Sequence, residues 1–159
     1  MFIYTVKSKQ IRAILIILFV VLTVSVLIFL SKDSENVSKN NNTVNLSASN
    51  ESERMSFISQ FGWEVSGEPT EVREIIIPEE FDEVYTKYNE IQLSQGFDLT
   101  SFKGTRVKRW TYAVKNYEGF ENKDCIRINI LVCNGKVIGG DVCSVELNGF
   151  MHGFSQPQK

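Results

Sequence analysis

Asp141 and His152 are the side chains in this sequence best suited to moving a proton. His152 is the sole histidine and lies in Asn148-Gly149-Phe150-Met151-His152-Gly153, read as a glycine-flanked loop after the last strand. With Cys143 or Ser144 it would complete a nucleophile and base, yet no Gly-x-Ser-x-Gly elbow or papain-like cysteine motif accompanies it. No catalytic residue is therefore assigned. Asp98, Arg109, Asp141 and His152 stand as candidate binding residues, and a small enzyme using Asp141 and His152 is the alternative. Three cysteines and one histidine are the whole stock of soft ligands, short of the four that a structural zinc site needs. No metal and no cofactor is expected.

Asp98 follows a helix-ending glycine, where its carboxylate suits a turn cap. Arg109 lies in a mixed strand among many acids and suits an ion pair. Trp63 and Trp110 read as core. Lys103, Arg106, Lys108 and Arg109 cluster within seven residues, either as an anion-facing patch or as a solvated strand end.

The elements that must position these groups follow from periodicity. Met55 to Phe61 predicts a short helix with Met55, Ile58 and Phe61 on one stripe, closed by Gly62. Val72 to Ile77 is β-branched and ends at Pro78, which predicts a strand. A helix is expected from Glu79 to Gln95. Its core stripe would be Phe81, Val84, Tyr85, Tyr88, Ile91 and Gln95, and Gly96 its cap. Strands are expected over Thr105–Asn116, Cys125–Cys133 and Lys136–Leu147, the last two joined by Asn134-Gly135 as a type I′ turn.

That turn sets a register: Val132 faces Val137, Ile126 faces Cys143, and Asp141 falls opposite Ile128 on the apolar face. An isolated carboxylate there is costly unless it is hydrogen-bonded. A bulge at Gly139-Gly140 would re-aim it and could bring Cys125 and Cys143 together; without one, no disulfide follows. The fold class is α+β: a two-layer domain with an antiparallel sheet of four to five strands and two helices on one face. A single transmembrane helix precedes it.

That helix is read from Ala13 to Leu30, an apolar run of 18 residues interrupted by Thr23 and Ser25. It would span about 27 Å, close to the hydrocarbon thickness of a bilayer. Lys7, Lys9 and Arg12 precede it without an acid, whereas Lys32 and Lys39 after it are offset by Asp33 and Glu35. The positive-inside rule keeps residues 1–12 in the cytoplasm and exports the rest. The run ends in Leu27-Ile28-Phe29-Leu30, a poor signal-peptidase site, so retention as an anchor is expected over cleavage. Residues 31–50 are rich in Asn and Ser and read as a flexible stalk, and residues 51–159 as the extracytoplasmic domain. That domain carries twelve bases against seventeen acids, a net charge of −5 that argues against nucleic acid.

Gln60-Phe61-Gly62-Trp63, Ile77-Pro78 with Phe81 and Tyr85, and Tyr88-Asn89 with Gln92 combine with Gln95-Gly96-Phe97-Asp98-Leu99, Thr111-Tyr112 and Gly139-Gly140-Asp141-Val142. Together they resemble the domain-of-unknown-function 4830 family of small bacterial proteins, over Met55 to Gly153. The resemblance implies a bacterial source and no established activity. The expected role is a non-catalytic binding or interaction module of the cell envelope. It would be held at the cytoplasmic membrane by its N-terminal helix, with an envelope or membrane protein as partner. A structural subunit of a membrane complex is a further alternative. The expected cytoplasmic tail of residues 1–12 is too short for a signalling domain, so function is expected to begin outside.

Overall fold

Asn50 starts the first helix. Its side chain accepts the Glu53 N–H at 2.9 Å, and the Glu53 carboxylate reaches back to the Ser49 N–H at 2.7 Å. This reciprocal capping fixes α1 at Glu51–Ser59, which buries Phe57 and Ile58. Gly62, at φ 76, closes the segment that follows. The computed structural model describes residues 43–121 and 123–157, and from Val44 onward the chain forms one unit. The expected cytoplasmic tail and transmembrane helix lie outside the described residues. Among the described residues, no helix is long and apolar enough to cross a membrane.

The expected stalk ends earlier than its composition suggests. Ser47 bridges Lys136, the Ala48 N–H donates to the Gly135 carbonyl, and Ala48 is 1% exposed. Gln60 clamps the Asn45 backbone through both atoms of its amide. Residues 44–50 therefore belong to the folded unit, because tertiary pairing with the hairpin turn supplies what their polar composition lacks.

Five antiparallel strands follow: β1 (Glu71–Ile76), β2 (Arg106–Ala113), β3 (Ile126–Cys133), β4 (Lys136–Ser144) and β5 (Met151–His152), in spatial order β1-β2-β3-β4-β5. Between β1 and β2 stand α2 (Glu83–Ser94) and a 3₁₀ turn at Leu99–Phe102. Asp82, not Pro78, starts α2, its carboxylate accepting the Tyr85 N–H at 2.7 Å. The buried stripe of α2 is also displaced from the expected one. Val84 is 75% exposed, whereas Asn89 and Gln92 are buried with Tyr85 and Tyr88 beside them.

The two helices do not share a face. Ile126, Ile128, Ile130 and Val132 of β3 pack with Phe57 and Ile58 of α1, with Tyr112, Val142 and Phe154. Leu131 of β3 packs on the other side with Ile77, Leu99, Val107 and Ile138, against Tyr85 and Tyr88 of α2. The sheet is thus sandwiched between its helices, a correction to the two-layer expectation. The physical reason lies in β3 and β4, which carry apolar side chains at consecutive positions and so offer both faces for burial.

The hairpin turn forms as expected, with Asn134 at φ 49 and Gly135 at φ 75. Val132 faces Val137, but Leu131 then faces Gly139, leaving Ile138 as a bulged residue. Parity flips beyond it. Asp141 faces Asn129 rather than Ile128, and Cys143 faces Arg127 rather than Ile126. The bulge sits one residue before the Gly139-Gly140 pair. Cys125, Cys133 and Cys143 are all free thiols.

Candidate functional site

The flipped register carries Asp141 to the α2 side, where it is 3% exposed. The Tyr88 hydroxyl donates to Oδ1 at 3.0 Å and the Asn129 amide to Oδ2 at 2.9 Å. Asn129 is held in turn by the Thr111 hydroxyl, which donates to its Oδ1 at 2.7 Å. Burial pushes the Asp141 carboxyl above the usual carboxylate range, opposed by these hydrogen bonds. Tyr88 is pushed well above its ordinary value, first by burial and then by the Asp141 charge. The Cys143 thiol, for the same two reasons, is pushed up to about 12. A thiol so raised is overwhelmingly protonated at neutral pH, which makes it a poor nucleophile. Asp141 is a bonded structural acid joining β4, β3 and α2.

Gly140 precedes it with its backbone amide on the Gln92 side chain at 2.7 Å and its carbonyl on Gln95 at 3.2 Å. A Cβ there would lie 2.1 Å from the Asn129 carbonyl oxygen, so the position admits only glycine.

His152 occupies β5 rather than a loop, opposite Val142. Its Nδ1–H donates to the Gly153 carbonyl at 2.6 Å, leaving Nε2 to accept from the Tyr117 hydroxyl at 3.1 Å. The ring stacks on Phe150, with centroids 5.6 Å apart. Val142 belongs to the α1-side core, whereas Asp141 bonds to α2 on the other side. Asp141 and His152 thus occupy opposite faces of the sheet, and no reacting atom can touch both. The paired-residue enzyme alternative is corrected on that geometry.

Asp98 caps the 3₁₀ turn, accepting from the Thr100 N–H at 2.9 Å and the Thr100 hydroxyl at 2.7 Å. These bonds hold its carboxyl below the usual range, Thr100 first. Arg109 pairs with Glu71 across β1 and β2 at 2.6 Å, while its buried Nε–H finds no acceptor. Of the four candidates, Asp98 and Arg109 serve local structure, and Arg109 lies on the Asp141 face of the sheet, where its charge opposes the rise of the Asp141 carboxyl. Among the described residues, no group of three or more His, Cys, Asp or Glu is placed to hold a metal ion.

A different residue draws attention on the α1 side. Arg54 is 5% exposed, on the stripe it shares with Phe57, Ile58 and Phe61. Its Nε–H donates to the Tyr112 hydroxyl at 3.0 Å, and its guanidinium lies 3.6 Å from the Trp110 ring centroid. Among the described residues no carboxylate pairs with it. Arg54 lines a cleft of about 310 Å³ with Glu74, Arg106, Lys108, Trp110 and Val132. Glu74 is engaged by Arg106, and Lys108 stands exposed beside them. Burial raises the Tyr112 hydroxyl above its ordinary value, with Arg54 opposing. The sequence held a signal for this site. Arg54 is the one cation placed three and four residues before Phe57 and Ile58, on their buried stripe.

A family model described as Domain of unknown function (DUF4830) matches residues 57–142, more than half of the chain. No curated protein and no solved structure gives a match.

Proposed function

The chain belongs to the Domain of unknown function (DUF4830) family, and from that premise we propose that it is a membrane-tethered, extracytoplasmic binding module without catalytic chemistry of its own. Arg54 carries this reading. A guanidinium withdrawn from water is costly unless it meets a compensating group. Here the compensation is aromatic, from Trp110 and Tyr112, and among the described residues no carboxylate forms an ion pair with it. The cleft it lines is the surface on which a ligand would complete the charge balance. The tether rests on the apolar run of residues 13–30 and its basic N-terminal flank, which favour anchoring with the domain outside.

The side chains best suited to catalysis are already committed to the fold. Asp141 is engaged through both oxygens, Cys143 is a raised thiol, and His152 has both ring nitrogens in hydrogen bonds. A photo-crosslinking amino acid at position 108 in the native host tests the proposal. Adducts are expected there and not at the exposed Glu90 of α2 on the opposite side. Equal adduct patterns at both positions would overturn the cleft as the binding surface.

A further inference from the structure

Resting on that reading of the cleft, we infer that its ligand is a small phosphorylated or carboxylated compound whose oxyanion meets the Nη1–Nη2 end of Arg54. Nε is committed to Tyr112 and the ring of Trp110 lies against the guanidinium, so its plane is fixed from two directions. The two Nη groups bond to no described residue, although they belong to a side chain more than nine-tenths buried. A guanidinium fixed in this way presents a parallel pair of N–H donors, the geometry that matches a carboxylate or phosphate.

The charges around it agree in sign. Arg54, Arg106 and Lys108 line the cleft against Glu74 alone, and the Glu74 carboxylate is turned onto Arg106. Lys108 faces Glu74 across β1 and β2 but forms no ion pair among the described residues. Glu51, one turn before Arg54 on α1, is an acid whose field reaches Tyr112. A cleft with this excess of cations raises the local concentration of anions. Its volume of about 310 Å³ falls at the small end of ligand pockets, and Trp110 and Val132 offer apolar wall for a compact organic body.

Calorimetric titration of the full chain in non-ionic detergent tests this, with phenyl phosphate, benzoate and neutral benzamide as probes of one shape and three head groups. Phenyl phosphate, benzoate or both should bind, benzamide should not, and the stronger of the two anions identifies the head group. Lys108→Glu, at an exposed position, should weaken anion binding about tenfold. Arg54→Lys keeps the charge but loses the fork and should weaken it at least as much; should that variant misfold, K108E decides. Anion binding no tighter than benzamide, or unchanged in K108E, would overturn the inference. If the anions fail while crosslinked adducts at position 108 persist in cells, the oxyanion assignment falls and the binding module stands. Loss of both overturns both.

Discussion

Asp141 shows how burial and bonding share one side chain. Both oxygens accept from neutral donors, and Asp141→Asn keeps only one of them as an acceptor. With Thr111 fixing the Asn129 orientation, the new N–H₂ faces the Tyr88 hydroxyl, which must then accept and give up its own donation. We predict a loss of about 1–3 kcal/mol in urea unfolding for D141N. The loss should depend on pH. Because the folded carboxyl titrates above the ordinary carboxylate range, the unfolded chain ionises first as pH rises. The Asp141 contribution is therefore complete below the ordinary carboxylate value and falls as pH climbs through the raised one. The gap between wild type and D141N should narrow over that window, and a gap that widens would contradict the assignment.

Cys143 gives a second expectation at this scale. With its thiol pushed up to about 12, alkylation in the folded chain should rise roughly tenfold per pH unit between pH 7 and 9. In the unfolded chain it should level off above about pH 8.5. Mass spectrometry of peptides from iodoacetamide-treated protein separates Cys143 from Cys125 and Cys133.

At the scale of elements, caps and bulges decide more than periodicity does. Asn50 and Glu53 form a capping pair that places the start of α1 inside a stretch whose composition reads as stalk. Asn50→Ala should cost about 1 kcal/mol in thermal or urea unfolding. Were residues 44–50 merely a tether, the substitution would leave stability unchanged. Gly140→Ala should cost at least about 2 kcal/mol, because its Cβ would meet the Asn129 carbonyl and the Phe154 ring on a φ of 153.

Strands β1 to β4, the Asn134-Gly135 turn and both helices were legible from β-branching, turn chemistry and helical spacing. The bulge was legible as an option at the Gly139-Gly140 pair, but its presence and its place at Ile138 were not, since a bulged residue obeys no local period. That single residue reversed the faces of Asp141 and Cys143. The polar stripe of α2 was also hidden. Asn89 and Gln92 read as solvent-facing until the backbone groups they satisfy are in view: the Leu99 N–H for Asn89 and the Gly140 N–H for Gln92. Arg54 on a short helix reads as a solvated cation, although its spacing from Phe57 and Ile58 places it on the buried side.

At the scale of the whole molecule, a sheet covered on both sides makes the two faces separate compartments. The α2 face holds Asp141 in a bonded cluster, and the α1 face holds Arg54 at an open cleft. This separation removes the paired Asp141–His152 chemistry and leaves recognition as the role the geometry supports. Together with the N-terminal apolar run, it underlies the proposal of a binder displayed outside the membrane, with its working surface at the Arg54 end. Acylation of lysines on intact protoplasts by a membrane-impermeant reagent, read by mass spectrometry, tests that picture most directly. Lys87 on the far face should be labelled always, and Lys7 and Lys9 only after lysis. Lys108 should be labelled strongly in washed protoplasts and weakly when envelope solutes are present. Labelling of Lys7 and Lys9 in intact protoplasts, or equal labelling of Lys108 with and without washing, would contradict the account.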